Sequence, residues 1–165
     1  MTALGKLPGS SITAVSDMNN SGQMVGGAWM GPIGGGWQAF MYSHGVMTGL
    51  GYLPGGGPSA AQGINDQGQV VGWAIEDGAY VAMLYSDGVM QDLNSLVAGP
   101  SLGLTVAGKI NDQGQIIAYD AEDNSYLLTP QTPEPASLLL GGGALAGLLL
   151  FGRRRSRAPQ YPASA

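Results

Sequence analysis

Along the first three quarters of the chain, short apolar runs alternate with clusters of Gly, Asn, Asp and Ser, and the alternation repeats. Asn19-Asn20-Ser21-Gly22-Gln23 returns as Asn65-Asp66-Gln67-Gly68-Gln69 and as Asn111-Asp112-Gln113-Gly114-Gln115, each 46 residues on. An apolar residue precedes each copy (Met18, Ile64, Ile110) and an apolar pair follows it (Met24-Val25, Val70-Val71, Ile116-Ile117). Asn or Asp with Gly between apolar runs is a hairpin signal. Asn at the first turn position and Gly at the fourth suit a type I turn with a following bulge. A second phrase, 39–47, returns at 82–90, and Ser86-Asp87-Gly88 marks the next hairpin. In the second unit the spacing predicts strands near 60–64, 69–74, 80–85 and 90–93. The expected fold is all-β: repeated four-stranded antiparallel units over 1–128, as propeller-like blades or alternatively a β-trefoil, plus one C-terminal transmembrane helix.

Leu4-Gly5-Lys6-Leu7-Pro8-Gly9 matches Leu50-Gly51-Tyr52-Leu53-Pro54-Gly55, and Met1-Thr2-Ala3 aligns with Met47-Thr48-Gly49. Met1 therefore falls at the fourth strand of a unit. Either this strand closes a ring with the last unit, whose own fourth strand is missing after Leu128, or earlier repeats and a signal peptide precede it. Truncation is the favoured expectation, because 1–16 has neither the basic segment nor the apolar core of such a signal.

The tail changes the picture. Thr129 opens a Pro/Thr linker, 129–135, ending in Pro133-Glu134-Pro135. Residues 136–152 carry no charge and seven leucines. As a helix they would span about 26 Å, the short end for a bilayer core of about 30 Å. Arg153, Arg154, Arg155 and Arg157 follow, in a basic tail expected over 153–165. Arginines favour the cytoplasmic side, so the expected topology is N-terminus out and C-terminus in.

Breaker, apolar run and basic stop, in that order, resemble the PEP-CTERM sorting signal of Gram-negative bacteria. The resemblance implies processing by an exosortase, a membrane protease-transpeptidase, with transient residence in the inner membrane and then release or attachment at the cell surface. The repeats resemble the HAF family of extracellular repeats, through Ile64-Asn65-Asp66-Gln67-Gly68-Gln69-Val70-Val71-Gly72 and Leu84-Tyr85-Ser86-Asp87-Gly88. His-Ala-Phe, the motif naming that family, is here Gln38-Ala39-Phe40 and then Val81-Ala82-Met83. The family implies no established activity.

Charge narrows the function classes. Before residue 136 the only basic side chains are Lys6 and Lys109, against all 11 acidic residues. An acidic ectodomain argues against nucleic acid, whose binding needs clustered Lys and Arg. The chain has no cysteine, which excludes disulfides, thiol catalysis and cysteine metal sites.

Candidate chemistry is sparse. His44, the only histidine, aligns with Asp87 before a glycine, and a turn role is expected. Glu76-Asp77 and the acids of 120–124 do not fit a calcium loop and read as solvated loop acids. No metal site and no cofactor is expected. Trp73 and Tyr119 share a repeat position that Gly27 holds in unit one, while Trp29 and Trp37 flank a glycine-rich loop. These four aromatics are candidate glycan-facing residues, with packing between strands as the competing role. The expected protein is an exported, non-enzymatic surface or extracellular-matrix component. The alternatives are a lectin-like module binding exopolysaccharide, and a hydrolase whose active site lies in repeats absent from this sequence.

Overall fold

The computed structural model describes residues 3–31, 35–131 and 150–155. Its strands form three four-stranded antiparallel sheets. Sheet one runs β1 (Ile12–Met18), β2 (Met24–Trp29), β3 (Trp37–Ser43), β4 (Val46–Gly49). Sheet two runs β5 (Ser59–Ile64), β6 (Val70–Glu76), β7 (Ala79–Ser86), β8 (Val89–Asp92). A 3-10 turn, Leu93–Leu96, leads on to β9 (Leu104–Ile110), β10 (Ile116–Asp120) and β11 (Ser125–Gln131), and β12 (Leu150–Arg155) completes sheet three.

Turn chemistry explains why the strands stop where they do. Gly22, Gly68 and Gly114 have φ of 75°, 76° and 71°, a left-handed geometry that favours glycine. Each donates its amide to the Asn carbonyl three residues back, and each Asn amide closes on the Gln carbonyl four residues on. The hairpins at His44-Gly45, Asp77-Gly78 and Asp87-Gly88 have positive φ at both central residues. That is the two-residue turn whose twist matches the flanking strands. Asp92 caps the 3-10 turn by accepting from the Asn94 amide.

The apolar pairs after each Asn turn place side chains on opposite faces, because strand side chains alternate. Val25 and Val70 meet between sheets one and two, with Ala39, Leu50, Leu53, Ala61, Ile64 and Met83. Val71 and Ile116 meet between sheets two and three, with Leu84, Leu93, Leu96, Leu104, Ala107, Ile110 and Leu128. On the far face of sheet one, Leu7 covers Ala28 and Phe40. Leu53, its counterpart in the repeat, does the same for sheet two. The sheets thus stack in chain order, with sheet two buried on both faces.

Two expectations need correction. The third unit does have a fourth strand: β12 pairs with β11 from Tyr126↔Arg155 to Gln131↔Leu150. This puts 150–152 in a strand, where the sequence predicts the end of the transmembrane helix, and Arg153, Arg154 and Arg155 in the same strand. The outer edge of β11 presents unpaired backbone groups, and an extended segment satisfies them where a helix would satisfy only its own. β11 also reaches Gln131, so the expected linker begins inside a strand. Residues 136–149 of the expected helix lie outside the described residues. Among the described residues, no helix is long and apolar enough to cross a membrane. The start of the chain, from Ala3 to Ser10, carries no strand.

Candidate functional site

The repeated Asn turns are brought into one ladder. Within each turn the Asn side-chain oxygen accepts from the Gln amide four residues on, at 2.9 Å in all three units. Its amide group donates to the Gln side chain, at 2.7 Å for Asn19 and Asn65 and 2.9 Å for Asn111. The same amide then bridges units: Asn19 Nδ2 donates to the Asn65 carbonyl at 3.0 Å, and Asn65 Nδ2 to the Asn111 carbonyl at 3.1 Å. A parallel rung runs beside it. The Asn20 amide donates to Asp66 Oδ1 at 2.9 Å, and the Asp66 amide to Asp112 Oδ1 at 2.8 Å. The Asn20 side chain also donates to Asp66 and is the main cause holding that carboxyl below the usual carboxylate range.

Between the second and third units the ladder borders a cleft of about 250 Å³. Gln67, Gln69, Asp112 and Gln113 supply its polar side chains and Leu84, Ile110 and Pro130 its apolar lining. Carboxamides and a carboxylate beside an apolar lining can hydrogen-bond a ligand rich in hydroxyls. None of the four aromatics expected at a glycan site lines it. The signal in the sequence was the pair of glutamines in each of the second and third turns, Gln67 with Gln69 and Gln113 with Gln115.

The aromatics lie elsewhere. Trp29 packs edge-on against Trp37, with centroids 5.6 Å apart. Trp73 packs edge-on against Tyr80, at 5.3 Å. A side chain at Gly27 would meet the Trp37 ring at 3.0 Å, and one at Gly108 would meet the Tyr119 ring at 3.1 Å. The absence of a side chain at these glycines makes room for an indole and a phenol ring to lie on the sheet. Trp29, Trp37 and Trp73 are half-buried and Tyr119 is exposed.

His44 sits in its hairpin turn, its Nδ1 2.8 Å from the Ser43 hydroxyl. Asp120 is not a solvated loop acid. It accepts from the Glu122 and Asn124 amides at 2.9 Å, and from the Asn124 side chain and the Tyr126 hydroxyl at 2.8 Å. With Asp123 at φ 61°, segment 120–124 reproduces the Asn turn with Asp in place of Asn. The Asn124 side chain is the largest cause holding the Asp120 carboxyl down at about 2, against partial burial, with Tyr126 and the two amides adding to it. A carboxyl held low in the folded state stabilises above its unfolded pKa, near 4, and loses that contribution as pH falls towards 2. The Asp120→Asn variant should melt several degrees below the parent at pH 6, and the gap should close by pH 2. Thermal unfolding followed by circular dichroism across that range is the check.

Of the sorting tail, Pro133, Glu134, Pro135 and Arg157 lie outside the described residues, while Arg153–Arg155 belong to β12. The tail directly follows β11, whose edge β12 occupies. Residues 131–155 match the PEP-CTERM protein-sorting motif. This sorting motif marks an exported protein with a surface destination and implies processing by an exosortase-like enzyme. No curated protein and no solved structure matches the chain.

Proposed function

We propose that this protein is a non-enzymatic structural component of the cell surface or extracellular matrix, delivered by its sorting motif. The observation that carries the reading is the motif itself, spanning 131–155 at the end of a β-sheet body. During sorting the uncharged run enters the inner membrane with the β body outside and the arginines inside. Entry requires β12 to leave the edge of β11. The exosortase then cuts near Pro133-Glu134-Pro135 and frees the body. The body's rows of hairpins, resembling HAF repeats, serve as a scaffold of propeller-like blades.

Intact-mass analysis of the protein from its native host, from membrane and medium separately, tests this. The expected surface form ends near Pro133 to Pro135 and lacks Arg157. A full-length chain at the surface, or full-length chain in the membrane alone, would overturn it.

A second reading, binding of exopolysaccharide, draws on the carboxamide-lined cleft between units two and three. Glycan titration against the Gln69→Ala variant separates the two readings: loss of binding there favours the lectin-like role.

A further inference from the structure

Among the described residues, the stack of sheets leaves apolar side chains exposed at both ends, and the two ends are complementary. At the first end, Val15 and Met18 of β1 are 47% and 58% exposed. Their repeat counterparts are Ala61 and Ile64 in β5, and Ala107 and Ile110 in β9. All four are buried against the preceding sheet. At the other end, Ile117 of β10 is 41% exposed and Leu127 of β11 37%. The counterparts of Ile117 are Val25 and Val71, both fully buried under the following sheet, and Leu127 corresponds to buried Leu84. One end therefore presents the surface that receives a preceding sheet, and the other the surface that receives a following one.

The ladder has the same polarity. Asn19 and Asn65 each donate across to the next unit's Asn carbonyl, so Asn111 Nδ2 is the next donor in line. The Asn19 carbonyl occupies the acceptor position of the first unit. The Asp66 and Asp112 carboxylates accept from the preceding unit's amide, and Asn20 holds that position at the first end. The first strand of each sheet, β1, β5 and β9, is its inner strand, and Asp17, Gly63 and Lys109 stand at one shared position of these three.

The inner strands also converge. Lys109 Nζ reaches across unit two to Asp17 at 3.1 Å. Asp17 in turn accepts from the Ile64 amide. A side chain at Gly63 would lie 3.1 Å from the Lys109 backbone. Sheets whose inner strands converge fan around an axis, so continuing the stack curves it back on itself.

The geometry points to a second copy of this chain as the occupant of both ends. Two copies pack head to tail, sheet three of each against sheet one of the other, closing a ring of six sheets. Each junction repeats the packing already present twice within the chain. A head-to-tail interface closes when its rotation divides the circle, and six sheets fall within the range that such rings adopt. This inference does not depend on the sorting reading.

The test uses the full chain in mild detergent, with mass measured by sedimentation and native mass spectrometry. The expected mass is twice the 16.8 kDa of one chain. Met18→Asp alone and Ile117→Asp alone should each abolish the dimer. Both side chains are exposed, so the variants should keep the parent's circular dichroism and the monomer's fold. Because the chain has no cysteine, single cysteines report orientation. Val15→Cys chains mixed with Ile117→Cys chains should cross-link through a short bis-maleimide, and neither variant should cross-link with itself. A monomer at 100 μM would overturn the proposal, a concentration chosen at roughly the μM–mM range of weak association. So would a ladder of larger masses, a dimer that survives Ile117→Asp, or cross-links between identical variants, which would point to the tail or a symmetric face.

Discussion

Replacing Gly72 by alanine should destabilise the fold by about 3 kcal/mol or more, among the largest effects a point substitution has. A side-chain carbon there would lie 2.9 Å from the Ala61 Cα and closer still to the Ala60 carbonyl oxygen, and all of these are backbone atoms. Nothing flexible can yield, so β5 and β6 must part at the bulge between Ala61 and Gly63. Gly26 stands at the same point of unit one, against the Ala14 carbonyl. In unit three the position is Ala118, and there β9 carries a second irregularity between Tyr119 and Asp120. That extra shift adjoins the Val106 carbonyl, the one a side chain at 118 would otherwise strike. Urea unfolding of Gly72→Ala should therefore show a large loss of midpoint, while Ala118→Gly should cost about 1 kcal/mol or less. Equal and small effects at both positions would contradict the steric argument.

Asn65→Ala should cost about 3 kcal/mol, because one buried side chain holds three separate groups. It accepts from the Gln69 amide and donates to the Gln69 side chain and the Asn111 carbonyl. Removal leaves polar atoms without partners where Asn65 is only 3% exposed. Asn111→Ala provides the internal comparison. It removes the bonds within its own turn, to the Gln113 and Gln115 amides and the Gln115 side chain, but no bridge to a following unit, and Asn111 is exposed. Its cost should be smaller by about 1 kcal/mol or more. Denaturant midpoints at unchanged m-value measure both, and equal losses would show that the bridge between units contributes nothing.

How far the fold could be read from the sequence depends on where the controlling forces act. The strands of unit two were expected within a few residues of β5 to β8, since Asn, Asp and Gly at fixed offsets impose their backbone geometry locally. The role of His44 followed the same way, from a glycine neighbour and an equivalent Asp87. Asp120 was misread because nothing in a cluster of acids says that Asn124 and Tyr126 will converge on one carboxylate. The polar cleft was missed because its groups come from two turns 46 residues apart in the chain, and only packing brings them together. Of the four candidate aromatics, Trp73 and Tyr119 share a repeat position with Gly27, while Trp29 and Trp37 flank a glycine-rich loop. Which of them would lie over Gly27 or Gly108 depended on the neighbouring strand.

The sequence by itself determined the repeat, the hairpins and the sorting motif, because each depends on residues close together in the chain: turn glycines, alternating side chains, a proline-acid-proline breaker. Only the tertiary structure decided the rest. Val70 and Val71 look alike in sequence, yet one packs towards sheet one and the other towards sheet three. Val25 and Ile117 occupy one repeat position, yet one is buried and the other exposed. Burial is set by what lies across the face of a sheet, and that is a property of neighbours in space. The strand at 150–155 follows the same rule: an apolar and basic run readable as a membrane segment pairs instead with β11, because that edge has backbone groups to satisfy.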